Sequence, residues 1–464
     1  MTLRDLVIIG AGPAGMAAAA KAAGLGLSVT VLDEQPRPGG QIYRDVDRAA
    51  PLRGDILGRD YAHGASLTAG LLQDRIDHVP GAVVWAIEEG FRISYTRDGQ
   101  GAQIMADRVL LATGALERPM PVPGWTLPGV MTAGAGQILL KQSGVLARRA
   151  VLVGTGPLLY LIAAQMVRAG TPPAAMVETQ TRSDITRAMR HVDGAMRGWR
   201  YLAKGLKLLA EITRAGVPRY TAARDIAIEG TDRAEAVCFT RRGRTHRLAC
   251  DTVFLHHGVV PNTQAARSLG VTHRWSTAQG CFVPSVDDWG ETDVPGVFIA
   301  GDGAGIGGAG AAEIAGRLSA LKLAEQAGRL STSERDRQAA PLRTAMLREM
   351  AVRLFLDAAY PPCAEALLPA DSTIVCRCEE VTAGDIRGYA GLGCLGPNQT
   401  KAFGRAGMGP CQGRYCGLSV TALLAEANGQ TPDETGHYRI RPPLKPVTLG
   451  ELAGMETASQ NAAE

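Results

Sequence analysis

At 464 residues the chain is too long for one ordinary domain, and the usual domain size of about 150 residues suggests roughly three. Its 46% hydrophobic content supports buried cores, and 49 basic against 45 acidic residues leave a thin net charge of +4, which excludes the concentrated basic face of a nucleic-acid binder. The opening MTLRDLVIIG carries no basic region or small-residue cleavage site, so the nine cysteines are expected in a reducing cytoplasm, as reactive or metal-binding thiols rather than a disulfide framework.

The first predicted element is a short apolar strand, Leu6 to Ile9, running into Gly10, Gly12 and Gly15 and then an alanine-rich helix. A second strand, Ser28 to Leu32, ends on Asp33 and Glu34. Strand, glycine turn, helix, strand and acid in this order describe a dinucleotide-binding unit. Gly10 allows the tight turn, Gly12 lets a pyrophosphate approach, and Gly15 lets helix pack on strand. Pro13 and Ala14 open the helix, whose unpaired N–H groups face the phosphates. Asp33 stands at the expected separation of roughly 20 residues for ribose hydroxyls, with Glu34 the neighbouring candidate.

Further along, Pro36 to Arg44, PRPGGQIYR, is a loop by its prolines and glycines. Tyr61 to Gly99 reads as a helix followed by short alternating strands, closing on the strand VLLATG, which ends at Thr113 and Gly114. The four prolines of Ala115 to Val130 forbid a continued helix and mark a linker. A second dinucleotide-type unit begins at Ala150, with Gly154 and Gly156 in its turn, but Leu159 stands where a third glycine or alanine is normal. Glu178, after the next strand, could receive an adenosine ribose; a bound adenine nucleotide and a purely structural unit are equally open. The uncharged run Ala150 to Val167 raises the question of a membrane span, and its strand-to-helix turn answers for buried α/β structure. Tyr201 to Ala215 predicts an amphipathic helix. Thr252 to Pro261 is expected to return the chain to the first unit, with His256 and His257 read as structural histidines in preference to one of them approaching a flavin. The strand VFIAGDG ends at Gly301 and Asp302 before a glycine-rich helix start, and Ser331 to Arg348 reads as a helical connector.

Cys376, Cys378, Cys411 and Cys416 form a C-x-C pair and a pair with four residues between. Four thiolates satisfy either a tetrahedral zinc or a [2Fe-2S] cluster. Gly404, Gly407, Gly409, Gly413 and Gly417 surround them, allowing backbone N–H groups to approach sulfur. Cys394 is expected to be structural, and Cys238, Cys250, Cys281 and Cys363 to be ordinary buried thiols. No cysteine precedes Cys238, so disulfide reduction beside a flavin is not expected.

The segments GAGPAG, PGGQIYR, ATGALERPMPVPGW, VFIAGDG, and CRCEEVT through GPCQGRYCG together resemble the FAD-containing large subunit of opine oxidases, hydroxyproline and proline dehydrogenases and hydrogen cyanide synthase; the sarcosine oxidase large subunit shares the flavoprotein part. The resemblance implies an α/β fold of two Rossmann-like domains followed by a small bacterioferritin-associated-ferredoxin-like [2Fe-2S] domain. The boundaries would be 1–118 and 251–330 for the FAD-binding domain, 119–250 for the second nucleotide-binding domain, 331–370 for a helical connector, 371–430 for the cluster domain and 431–464 for an extended tail. It further implies FAD held by the first glycine turn, Asp33, Thr113, Gly114, Gly301 and a ribityl contact from Asp302. Gly39, Gly40 and Gln41 would meet the isoalloxazine, and the four cysteines would hold the cluster. In such proteins a partner subunit of amine-oxidase-like FAD fold, with a further small subunit in some assemblies, oxidises a secondary-amine amino acid while the large subunit passes electrons onward. No acid-base constellation for amine oxidation stands out in this chain, and the complex would be cytoplasmic or peripheral at the inner membrane face. Two competing readings are a stand-alone NAD(P)H-dependent flavin/[2Fe-2S] reductase and a non-catalytic assembly subunit with structural zinc.

Overall fold

The computed structural model describes residues 3–461. Two parallel sheets of five strands each dominate it. The first runs in the order Val297–Ile299, Val109–Leu111, Leu6–Ile9, Val29–Asp33, Ile76–Pro80. Its central segments, LVII and VLL, are buried on both faces, which is what a parallel sheet covered by helices demands. The second sheet runs Val130–Thr132, Thr252–His256, Ala150–Gly154, Ala175–Glu178, Arg219–Tyr220. Each is interrupted in the chain by an antiparallel three-stranded meander, Val83–Ile87 with Arg92–Arg97 and Gln100–Ala106 in the first, and Arg224–Glu229 with Ala236–Arg241 and Arg244–Ala249 in the second.

The strand Thr252–His256 corrects one expectation. It belongs to the second sheet, paired in parallel with Ala150–Gly154 on one side and Val130–Thr132 on the other. The return to the first unit therefore comes after it, not at residue 251. A run such as TVFLH is equally suited to the interior of either sheet, so its composition could not choose between them. The crossing itself is made by Val259–Pro261, which pairs antiparallel with Ala115–Glu117 inside the proline-rich linker.

Helix α1, Pro13–Gly24, begins with proline at its first turn and covers the first sheet. Helices α2, Ala133–Ser143, α3, Pro157–Arg168, and α4, Trp199–Arg214, build the second unit, and α5, Ala309–Gln326, returns to pack on α1. The α1–α5 contact depends on missing side chains: a Cβ on Gly316 would lie 2.1 Å from the Ala14 carbonyl oxygen, and one on Gly301 would lie 2.9 Å from the Ala14 Cβ. Ala150–Gly154 and α3 account for the uncharged run, and among the described residues no helix is long and apolar enough to cross a membrane. Leu159 is 1% exposed and packs with Leu152 and Phe254, so it keeps the fold where a glycine was expected.

The cysteine-bearing segment opens with the hairpin Ile374–Cys376 and Val381–Thr382, continues through α6, Ala383–Gly391, whose capping box joins Thr382 and Asp385, and ends in α7, Gly417–Asn428. The segment after it differs from the extended tail expected. It forms a short helix, Pro432–Thr435, buries Tyr438, Ile440 and Leu444, and closes with the helix Leu449–Asn461. Leu444 donates its N–H to the Trp85 carbonyl at 2.7 Å, and Lys445 pairs with Glu34 at 2.8 Å. Residues 462–464 of that expected tail lie outside the described residues.

The first glycine turn supplies a direct test. A Cβ at Gly15 would stand 1.9 Å from the Gly10 carbonyl oxygen, whereas one at Gly12 would meet nothing nearer than Gly40 Cα at 3.9 Å. Gly15→Ala is expected to cost about 3 kcal/mol, the upper end for overpacking, read as a lowered urea midpoint. Gly12→Ala should leave that midpoint within the scatter of surface substitutions.

Candidate cofactor and cysteine sites

The first turn, the loop after it and the end of the Val297–Ile299 strand converge. Gly39 donates its N–H to the Ala11 carbonyl at 2.8 Å, and a Cβ on Gly40 would be 2.9 Å from Gly12 Cα, so the PGGQIYR loop folds back over the turn. Gln41 is exposed beside it. Asp33, 6% exposed, accepts from the Ala11 N–H and, at 2.7 Å, from the Gln35 N–H. Burial raises its pKa, against those two bonds and the nearby His78 and Arg44. Arg44 is buried too, and its Nε has no partner. Glu34 points to solvent and is taken by Lys445, so Asp33 is the better placed of the two for a ribose.

Thr113 donates its hydroxyl to the Asn262 carbonyl at 3.1 Å, and Asn262 returns its N–H to the Gly114 carbonyl at 2.9 Å, fixing the end of the VLLATG strand. Asp302, beside Gly301, accepts through one oxygen from the N–H groups of Gly307 at 2.9 Å and Gly308 at 2.8 Å. That aims the carboxylate at the start of α5 and leaves its second oxygen for a hydroxyl. These features fit a dinucleotide: an open space over Gly12, a carboxylate at each end, and an orphaned guanidinium nitrogen at Arg44.

The second turn packs on its neighbouring strand as the first does, where a Cβ on Gly10 would lie 2.5 Å from the Ala112 carbonyl oxygen, and differs in the side chains around it. A Cβ on Gly154 would lie 1.7 Å from the His256 carbonyl oxygen, and one on Gly156 would be 3.4 Å from the His256 ring. His256 Nδ1 is 2.6 Å from Glu117 Oε1. Glu178, 1% exposed, accepts from Arg219 Nη2 on both oxygens at 2.9 Å and from Gln180 Nε2 at 2.9 Å. Burial pushes the Glu178 pKa up while the pairing holds the Arg219 guanidinium charged, above its ordinary range. A nucleotide ribose at this position would have to displace Arg219 or leave Glu178 aside. His257 is buried as well, between the Pro119 carbonyl at 2.7 Å and the Cys363 N–H at 3.1 Å; neither histidine stands in the first turn.

The four cysteines are free thiols that stand as neighbours, Cys376 with Cys416 and Cys378 with Cys411. Cys376 is held down to about 6, chiefly by the Cys416 thiol and also by the N–H groups of Gly407, Glu379 and Cys378, against burial. Cys416 is pushed well above the usual range by the neighbouring Cys376 thiol and by burial. Among the described residues no group of three or more His, Cys, Asp or Glu side chains converges as a site for a single metal ion. Four thiols match in number the cysteine ligands that a [2Fe-2S] cluster takes.

The surrounding glycines serve a purpose the sequence did not reveal. Cβ atoms on Gly407 and Gly413 would lie 2.6 and 2.5 Å from the ring of Tyr438, and one on Gly409 would lie 2.2 Å from the Cys378 Cβ. Tyr438, from the segment expected as a tail, fills the space between the cysteine loops and donates its hydroxyl to the Ala406 carbonyl at 2.9 Å. Trp125, in the linker, donates its indole N–H to the Ile374 carbonyl at 2.7 Å, and the Arg377 guanidinium lies over its ring at 5.1 Å. Cys394 is buried and bonds the Gly396 carbonyl at 3.5 Å, outside the pairs. Cys250, Cys281 and Cys363 are buried, whereas Cys238 is only half-buried.

The family described as pyridine nucleotide-disulphide oxidoreductase matches residues 4–328, and that described as sarcosine oxidase A3 domain matches residues 370–455. An opine oxidase subunit from Rhizobium meliloti is 43% identical over 97% of this chain and 87% of its own length. Hydrogen cyanide synthase subunit HcnB of Pseudomonas protegens is 32% identical over 95% of this chain and 96% of its own. The L-proline dehydrogenase structure from P. horikoshii superposes with a TM-score of 0.71 at 19% identity, across 97% of this chain and 79% of that one, a likeness of fold. Together with the two glycine turns on two parallel sheets, these matches establish the chain as a member of the pyridine nucleotide-disulphide oxidoreductase family, akin over its full length to an opine oxidase subunit.

Proposed function

We propose that the chain is the electron-transferring FAD and [2Fe-2S] subunit of a heteromeric dehydrogenase whose partner, an amine-oxidase-like FAD subunit, oxidises a secondary-amine amino acid of opine, hydroxyproline or proline type. The observation that carries this reading is the pairing of Cys376 with Cys416 and Cys378 with Cys411 in a full-length relative of an opine oxidase subunit. When bound, FAD takes up an electron pair and a [2Fe-2S] cluster passes electrons singly, so the two together split a hydride's electrons.

Each residue has a definable task in this reading. Asp33 takes the adenosine ribose, Gly12 and Gly40 leave room for the pyrophosphate, and Asp302 takes the ribityl chain through the oxygen not engaged by Gly307 and Gly308. The N–H groups of Gly407, Glu379 and Cys378 stabilise negative charge on Cys376 sulfur. The domain limits proposed are those of the sequence, with the second nucleotide-binding unit extended through His256 and the cluster domain extended through the Tyr438 segment. The residues at Glu178 argue against the alternative of a stand-alone NAD(P)H reductase, since Arg219 occupies the carboxylate that a second dinucleotide would use.

Two outcomes are expected. Under anaerobic conditions NADH and NADPH leave the flavin of the purified chain oxidised, while dithionite bleaches flavin and cluster together; rapid bleaching by either nucleotide would transfer the assignment to a self-sufficient reductase. Cys376→Ser should reduce iron and labile sulfide from about two of each per chain to a small fraction while FAD content is kept. Full iron content in that variant, or zinc in place of iron in the parent, would refute the cluster assignment.

A further inference from the structure

Lys141 lies near the end of α2, in AGQILLKQS, where it is the one charged residue. It is 2% exposed. Its ammonium donates to the carbonyl of Gln41 at 3.0 Å, the carbonyl of Ile42 at 2.9 Å and Oε1 of Gln137 at 2.8 Å. Three donors thus meet three acceptors, with the Tyr61 ring 5.5 Å away. None of the acceptors is a carboxylate. The charged groups that face it are Arg44, in the same loop, and Arg53, whose Nη2 donates to the Lys141 carbonyl at 2.7 Å. Burial, with Arg44 adding repulsion, lowers the lysine to about 7.

Burying an ammonium without a counter-ion costs several kcal/mol, so a lysine is a poor choice if packing were its only purpose. The surroundings show where it is directed. Gln137 passes its amide to Gln165 Oε1 at 3.0 Å, and Gln165 passes its own to the Leu57 carbonyl at 3.3 Å, a buried polar chain between the two nucleotide-binding units. At the opposite end of α2, the Gly134 N–H donates to Glu117 Oε2 at 2.8 Å, and Glu117 carries His256. Helix α2 is therefore a strut fixed to the second glycine turn at one end and to the Gln41–Ile42 backbone at the other.

Resting on the reading that Gly39, Gly40 and Gln41 meet the isoalloxazine, we propose that Lys141 is a positioning residue for the flavin, holding the Gln41–Ile42 carbonyls from the protein side and placing a positive charge under the cofactor loop. A positive charge there favours reduced flavin, which gains negative charge on taking up electrons.

The test uses the full chain with its flavin. Lys141→Met removes donors and charge at similar length, and Lys141→Gln keeps a donor without the charge. Both should remain folded in a thermal melt and contain FAD. The Met variant should release FAD roughly tenfold faster, the scale of losing a charged hydrogen bond, with an altered visible band and a more negative flavin potential. The Gln variant should regain the band shape but not the potential. In the parent, the flavin spectrum and potential should step with pH near the lysine's value of about 7, and both variants should lack the step. Variants whose flavin keeps the parent's spectrum, potential and pH profile would overturn the proposal; if the Met variant does not fold, the Gln variant decides it alone. A parent chain without flavin would instead refute the reading on which the proposal rests.

Discussion

Everything at the first site depends on how closely two helices can approach. Helix α1 starts at the first glycine turn, α5 starts just beyond Asp302, and their shared contact is a seam of glycine and alanine in which Gly316 lies against the Ala14 carbonyl. Only with side chains that small can two helix N-termini, drawn from opposite ends of the flavoprotein region, be set side by side over one sheet, at strands with only Val109–Leu111 between them. The seam thus places Gly12 and Asp302 at the same end of one sheet although no local signal links them. A bulkier residue at Gly316 would separate the phosphate end from the ribityl end of a dinucleotide before it disturbed either one.

The parts legible in the sequence were those whose physics is local. The strand, glycine turn and helix from Leu6 to Gly24 declare themselves because they follow one another along the chain, and the cysteine pairs stand out by their close spacing in sequence. Partnership across the fold was not legible. Glu178 reads as a ribose ligand until Arg219, on the neighbouring strand, is seen closing it. Thr252–His256 reads as a strand of the first sheet because burial on both faces looks the same in either sheet. Lys141 in a helix of apolar residues carried no mark distinguishing a buried ammonium from a surface one, and its acceptors lie in a loop far upstream.

The cysteine region shows the same divide in a different way. Its glycines suggested access to sulfur, and the Gly407 N–H does reach Cys376. Yet the larger demand on them is steric, since the ring of Tyr438 occupies the space their missing side chains leave. The proline-rich stretch that supplies this ring reads as an extended tail because prolines exclude continued helix. Lack of regular structure did not mean lack of packing: Tyr438, Ile440 and Leu444 join the same buried cluster as Cys376 and Cys416. The family name refers to disulphides, but in this chain the paired thiols lie beyond the flavoprotein region, in a segment of their own.

The chain passes between its two sheets twice, outward through Ala115–Glu117 and back through Val259–Pro261, and the two passages are hydrogen-bonded to each other as an antiparallel ribbon. Two separate tethers would let the halves twist and slide independently. Pairing makes the crossing one two-stranded element, and the segment after residue 330 adds a further link to the second unit, where Val352 sits against Gly198 and the ring of Tyr360 against that of Tyr160. Neither passage can therefore be displaced alone: whatever shifts Ala115–Glu117 also loads Val259–Pro261 through the hydrogen bonds they share.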